Sequence, residues 1–132
     1  MVKDKIIGIG AEASLILDKD GVVNKVRNKK SYRLPIIDEK ITRLRTRVEG
    51  RFIERASKLI PVPKILKVDE KNKTIKMEFI AGNKLSDVLN NRNDAPEICR
   101  SIGISVAKLH DSNIIHGDLT TSNIIITPNN KL

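Results

Sequence analysis

The sequence predicts an α+β fold, on three observations. Short apolar runs separated by turn residues fill the stretch up to residue 27 and return between residues 64 and 80. Between them, from Pro35 onward, apolar residues recur at steps of three and four. A second helical pattern comes next and gives way to an irregular end. The order is strand, strand, strand, helix, strand, strand, then helices and a loop; strands joined by short turns imply an antiparallel sheet.

Each element has its own justification. Residues 4–9 (DKIIGI) and 13–18 (ASLILD) are expected as strands around a Gly-Ala turn, with DKDG at 18–21 as a second turn. VVNKVR at 22–27 is a third strand: Val22 and Val26 share one face, and Val23, Lys25 and Arg27 share the other. Ile37, Ile41, Leu44, Val48, Phe52, Ala56 and Leu59 then mark a long helix. Pro35 suits its first turn, and Pro61 and Pro63 forbid its continuation. KILKVD at 64–69 and TIKMEFI at 74–80 are two more strands joined by the polar turn EKNK, and Gly82 breaks the second. LSDVLNN at 85–91 is a short helix. Residues 96–110 form a longer one, with Ile98, Ile102, Val106 and Leu109 on one face and Pro96 in its first turn. After an irregular loop come a short strand, Ile124–Ile126, and the turn PNNK. There is no internal repeat and no low-complexity linker.

Length and composition bound the function loosely. A chain of 132 residues is one domain or an incomplete one. Its 39% apolar residues suffice for a modest core, carried by Ile because there are only two Phe, one Tyr and no Trp. The net charge of +9 draws polyanions without choosing among them, and plain solubility accounts for it equally. The single Cys, Cys99, cannot form an internal disulfide, which fits a reducing compartment. No apolar run approaches the length of a membrane span, and MVKDKIIGIG lacks a signal-peptide core, so a cytoplasmic location with no membrane contact is expected.

Four constellations carry chemistry. GIGAEAS at 8–14 is a glycine-containing strand-turn-strand, whose backbone N–H groups can approach phosphates. Taken alone, it is more commonly an ordinary hairpin turn. Lys25 lies mid-strand, where an ammonium can reach phosphates held under the first two strands; a solvated strand lysine is the commoner explanation of any single Lys. Glu49, in RVEGR, can brace Lys25 if the long helix packs on the sheet, or form a weak pair with Arg45 one turn back. Arg43, Arg47, Arg51 and Arg55 recur every four residues as one stripe, either a solvated face or a surface for RNA phosphates or an acidic partner.

HGDLTTSN at 116–123 is the most informative stretch. Phosphoryl transfer needs a group that accepts or orients the nucleophile's proton, and an oxygen ligand for Mg²⁺. Asp118 and Asn123, five residues apart on one loop, are of the right types; a turn Asp and a capping Asn are the ordinary alternatives. His116 is read as structural rather than catalytic. The full H-x-D-L-x-x-x-N spacing, after a helix and before an apolar strand, is much rarer than either residue alone.

GAEAS, KVRNKKSYRLP, RTRVEG, MEFIAG and HGDLTTSN, in that order and over nearly the whole chain, resemble a protein kinase of reduced size. The similarity is to the small atypical kinases of the KEOPS complex, the PRPK family; RIO kinases and aminoglycoside-type phosphotransferases share HGDL but usually differ in the next residues. The resemblance implies a protein-kinase-like fold: residues 1–80 as an N-lobe of antiparallel sheet and one main helix, and 81–132 as the start of a helical C-lobe. It implies that ATP and Mg²⁺ bind. Lys25, braced by Glu49, would take the α/β-phosphates under a turn made of Gly10, Ala11, Glu12 and Ala13. Met77 would be the gatekeeper, and Glu78, Phe79 and Ile80 the hinge beside adenine. Asp118 would be the catalytic acid/base and Asn123 a Mg²⁺ ligand. Lys25, Asp118 and Asn123 would then converge on one nucleoside triphosphate.

The family's reaction is that of a serine/threonine kinase or ATPase within a complex that makes threonylcarbamoyladenosine in tRNA. The implied partners are its threonylcarbamoyl transferase subunit, a small regulatory subunit, and tRNA through the basic helix. A RIO-type or small-molecule kinase, or a non-catalytic scaffold, are the alternatives. Two residues depart from most protein kinases. Gly117 replaces an Arg that meets a phosphorylated activation segment, and Thr120 stands where many have a Lys, which favours slow transfer or hydrolysis. The sequence reaches Leu132 without a D-F-G, whose Asp holds the second Mg²⁺, so a fragment of a longer chain, one fused behind a transferase included, is expected.

Overall fold

The structure, a computed structural model, describes residues 3–132. The chain divides into two compact units: one holds the residues up to Arg55 together with Pro63–Phe79, the other Ala56–Val62 together with Ile80–Leu132.

The first unit is a five-stranded antiparallel sheet with a helix. Its strands are β1 (Lys5–Ile9), β2 (Ala13–Leu17), β3 (Val22–Arg27), β4 (Ile65–Asp69) and β5 (Thr74–Glu78), and the helix is α1 (Pro35–Ala56). The strand order is β1-β2-β3-β5-β4, so the returning hairpin inserts β5 beside β3 and leaves β4 at the edge. The strands are a residue or two shorter than their apolar runs: Asp18 belongs to the turn after β2, and Phe79 and Ile80 lie beyond β5. Asp18 stops β2 because its carboxylate accepts the N–H groups of Asp20 and Val22, each at 2.9 Å, while Gly21 takes the left-handed conformation (φ +77°) the turn requires. These bonds, that from Val22 first, hold the Asp18 carboxyl below its usual range. Asp69 closes the β4–β5 turn in the same way, accepting from the N–H and side-chain amide of Asn72.

Pairing across the sheet sets Leu15 against Lys25, Lys25 against Ile75, and Ile75 against Val68. A lysine thus sits in an otherwise apolar row, beside Ile75, which is 1% exposed.

Helix α1 buries an unexpected side. The apolar positions that mark it in the sequence remain largely in water: Ile37 is 46% exposed, Leu44 56% and Phe52 40%. Apart from Ala56 at its end, its buried residues are Asp38, Thr42, Thr46 and Gly50, four apart. The Thr42 hydroxyl donates to the Asp38 carbonyl and that of Thr46 to the Thr42 carbonyl, both at 2.7 Å, so neither buried hydroxyl is left unpartnered. Gly50 lets the helix approach β4: a Cβ there would lie 2.7 Å from Val68 Cγ2. Leu59, expected on the helix, lies past its end; the N–H groups of Leu59 and Ile60 both turn back to the Ala56 carbonyl.

The second unit contains β6 (Asn83–Lys84), α2 (Leu85–Val88), α3 (Ala95–Asp111) and β7 (Ile125–Ile126), with single 3-10 turns at Leu89–Asn91 and Thr121–Asn123. β6 and β7 pair antiparallel, Asn83 opposite Ile126. Leu85 (0% exposed), Ile98 and Ile126 form one core cluster; Ala56, Leu109 and Ile114 form another, with Leu59, Ile60 and Val62 packed on it. Ile98 and Leu109 are the fully buried members of the expected α3 face, and Ile102 and Val106 are half-buried. Asn113, in the left-handed conformation (φ +57°), ends α3 and sends the chain into the loop.

Candidate functional site

The site residues on the sheet form one ion-pair cluster. Lys25 on β3 pairs with Glu49 Oε1 on α1, and Arg27, two residues on and on the same face, donates to Glu49 Oε2 at 2.6 Å. Glu49 does not pair with Arg45, the alternative one turn back; Arg45 reaches Glu12 in the β1–β2 turn at 3.0 Å. Glu49 is therefore a brace between helix and sheet, one of the two arrangements the sequence allows.

The turn of Gly10, Ala11, Glu12 and Ala13 is held from several directions. The Gly10 N–H donates to the Ala13 carbonyl at 2.8 Å, and the Asn28 N–H to the Glu12 carbonyl at 3.0 Å. Ser14 Oγ donates to Asn28 Oδ1 at 3.1 Å, and Lys30 donates to the Ala11 carbonyl and faces Glu12 at 3.8 Å. Ala13 is buried at the start of β2. Sequence reasoning gave no role to Arg27, Asn28 or Lys30 in this cluster, and considered Arg45 only as a partner of Glu49. Arg27 had a signal, its period-2 relation to Lys25; the others had none, because their partners are distant in the chain.

Met77 is half-buried, set against Val23 on one side and Ile65 on the other. Glu78 is committed to Lys64: its N–H donates to the Lys64 carbonyl at 3.0 Å, and its carboxylate accepts the Lys64 N–H at 2.8 Å. Phe79 is exposed at the end of this unit, and Ile80 opens the next.

The arginine stripe is partly neutralised. Arg43 pairs with Glu39 at 3.1 Å, and Arg47 forks onto Glu70 at 2.8 and 2.7 Å. Arg47 holds the Glu70 carboxyl below the usual range, while a hydrogen bond from Lys73 does the same for Glu39. Arg55 lies over the Phe52 ring, 5.7 Å from its centre.

In the second unit, the loop carrying Asp118 is bound by its own side chains. Asn123 Nδ2 donates to the Asp118 carbonyl at 2.8 Å, and the Asp118 N–H donates to His116 Nδ1 at 3.2 Å. His116 is thus a loop brace, consistent with a structural reading. Gly117 sits between them with φ +80°, a conformation that side chains resist. The Asp118 carboxylate is exposed. Because the Asn123 amide nitrogen is turned to the backbone, its oxygen is the atom available to a cation. Among the described residues no three His, Cys, Asp or Glu side chains cluster to hold a metal. Mg²⁺ held chiefly by phosphate oxygens needs only one or two protein oxygens, and Asn123 suits that role. None of the helices described is long and apolar enough to cross a membrane.

The RIO domain family matches residues 19–132. The chain is 40% identical over 134 residues to "KEOPS complex subunit Bud32" of Pyrococcus abyssi, covering 92% of this chain and 61% of that protein. It is 42% identical over 129 residues to "Probable bifunctional tRNA threonylcarbamoyladenosine biosynthesis protein" of Methanocaldococcus jannaschii, covering 94% of this chain and 23% of that one. The chain thus spans less than two thirds of the curated relatives it matches. Among solved structures, WbdD in complex with the kinase inhibitor LY294002 superposes with a TM-score of 0.67 at 18% identity, covering 93% of this chain and 29% of that one, which supports the kinase-like fold. The chain belongs to the RIO-domain family and has a protein-kinase-like fold.

Proposed function

We propose that this chain carries the nucleotide-binding sheet and the catalytic loop of an ATP-dependent serine/threonine kinase or ATPase. It would work in a KEOPS-type complex for threonylcarbamoyladenosine modification of tRNA. The observation that carries the reading is the Lys25–Glu49 pair, joining residues 24 apart in the sequence. Such a pair holds an ammonium at a fixed place on the sheet, where a phosphate can use it.

In this reading Lys25 takes the α/β-phosphates, the Gly10–Ala13 turn covers them, and the Met77–Ile80 segment faces adenine. Asp118 accepts the proton of an attacking hydroxyl. That oxygen then bonds to the γ-phosphorus, the bond to the β–γ bridging oxygen breaks, and ADP leaves. With water as nucleophile the same step is hydrolysis, which Thr120 favours by supplying no cation for the γ-phosphate. Mg²⁺, with Asn123 as a ligand, would neutralise phosphate charge when bound. The names of the curated relatives support the tRNA-modification setting. The partners in this reading are a transferase subunit, a small regulatory subunit and tRNA. The exposed arginine stripe of α1 is the surface offered to tRNA.

Asp118→Ala in the intact protein is expected to leave ATP binding nearly unchanged and to abolish turnover, measured as phosphate release and as label transfer to protein. ATP hydrolysis at the wild-type rate in this variant would remove Asp118 from the reaction.

A further inference from the structure

We propose that Lys30, together with Asn28, is a positioning residue for the triphosphate: the two fasten the Gly10–Ala13 turn by its carbonyls, so that the turn meets phosphate with N–H groups alone. This rests on the nucleotide-dependent reading above and adds two residues to it.

The turn is exposed at Ala11 and Glu12, where an ordinary hairpin tip is solvated and needs no fastening. Here each of its four carbonyls has a donor. That of Ala13 accepts the Gly10 N–H at 2.8 Å, and that of Glu12 the Asn28 N–H at 3.0 Å. Asn28 Nδ2 donates to the Gly10 carbonyl at 3.4 Å, and the Lys30 ammonium to the Ala11 carbonyl. Asn28 is itself oriented by Ser14, whose Oγ donates to its Oδ1 at 3.1 Å. Among the described residues the Ala11 and Glu12 N–H groups find no acceptor. Phosphate oxygens accept hydrogen bonds, so a carbonyl turned to them repels while an N–H binds.

Charge is arranged to the same end. Glu12 is the one acid in the turn, and its carboxylate would oppose a triphosphate. Lys30 faces its Oε1 at 3.8 Å and Arg45 takes its Oε2 at 3.0 Å, which offsets that charge. Of the two adjacent lysines in NKK, Lys29 is exposed, whereas the Lys30 side chain is only 16% exposed. Drawing an ammonium out of water to hold an exposed turn costs free energy that a purely structural hairpin would not require.

The test uses the intact protein and compares Lys30→Met, Asn28→Ala and Lys29→Met. Affinities for ATP and for adenosine, which lacks phosphates, are measured by titration calorimetry. Backbone order parameters of Ala11 and Glu12 are measured by NMR without nucleotide. Lys30→Met should weaken ATP about tenfold, leave adenosine within about twofold, and lower the order parameters from about 0.85 to below about 0.6. Asn28→Ala changes no charge and should weaken ATP about threefold, with adenosine unaltered and the turn loosened. Lys29→Met removes the same charge as Lys30→Met without touching the turn, and should bind ATP within about twofold of wild type. Equal losses in Lys29→Met and Lys30→Met would make the effect one of net charge. Weakened ATP beside a turn as rigid as in the wild type would make Lys30 a phosphate ligand. Either result overturns the proposal, as does wild-type ATP affinity in Lys30→Met. Should Lys30→Met fold poorly, Asn28→Ala still decides, since wild-type ATP affinity there overturns the proposal too. A wild-type protein that binds neither ATP nor adenosine would defeat the nucleotide reading and this proposal with it, whereas the other adverse results leave that reading standing.

Discussion

Gly50→Ala sets two effects of known sign against each other. An alanine is preferred to glycine inside a helix by about 1 kcal/mol. Propensity alone therefore predicts that the substitution stabilises α1. The structure predicts the opposite, because the new methyl would lie 2.7 Å from Val68 Cγ2 and 3.4 Å from Cγ1, against a comfortable carbon–carbon separation of about 3.5–4.0 Å. Forcing a methyl into such a contact costs about 1–3 kcal/mol. With about 2 kcal/mol of overlap against about 1 of propensity, a net loss of about 1 kcal/mol is expected. Val68→Ala removes both γ-carbons and leaves Val68 Cβ at 3.6 Å, an ordinary contact. In that background Gly50→Ala should stabilise by up to about 1 kcal/mol, so its effect changes sign and the cycle yields a coupling of about 2 kcal/mol. Urea unfolding followed by circular dichroism is the suitable assay, since the sequence contains no Trp. If Gly50→Ala stabilises with Val68 in place, helix and strand do not approach as described, and the placement of Glu49 argued from that approach falls with it.

The loops yield two further outcomes. Gly117→Ala forces a side chain to φ +80°, at a cost of about 1–2 kcal/mol local to the loop, so ATP turnover should fall more than global stability; equal turnover would mean the loop relaxes freely. Acid should weaken the fold with a defined sign. The Asp18, Asp69 and Glu70 carboxyls lie below their ordinary values, held by hydrogen bonds from Val22, Asn72 and Arg47. Their contribution is complete above the unfolded values and is lost as pH falls through the folded ones, so stability should be level near neutrality and decline below about pH 4. Urea midpoints measured from about pH 7 to about pH 3 check this, and a decline that begins near pH 6 would point to other groups.

Much of the sheet could be read in advance because its signals are local. DKDG has to turn, and VVNKVR sorts its residues onto two faces by period two, which placed Lys25 with Arg27 and away from Val26. The long helix was legible as a helix but not in orientation. Its apolar stripe and its small-residue stripe share the same spacing, and Thr42, Thr46 and Gly50 announce nothing until a strand such as β4 lies against them. For Glu49 the sequence permitted two partners, and only tertiary structure decides between a residue four away and one 24 away. Arg47–Glu70 and Arg45–Glu12 were hidden for the same reason. The insertion of β5 between β3 and β4 is likewise a long-range choice. The loop at 116–123 was legible as a motif, while its bracing by His116 and Asn123 is a matter of geometry.

The small-residue side of α1 has a mechanical consequence. Interlocked large side chains register most helices on their sheets; here the buried positions 38, 42, 46 and 50 present an aspartate, two threonine methyls and a bare backbone. Such a seat offers few ridges to oppose sliding along the helix axis, the kind of shear by which packed elements move. Location along that axis is then set by charge, with Glu49 as the pin.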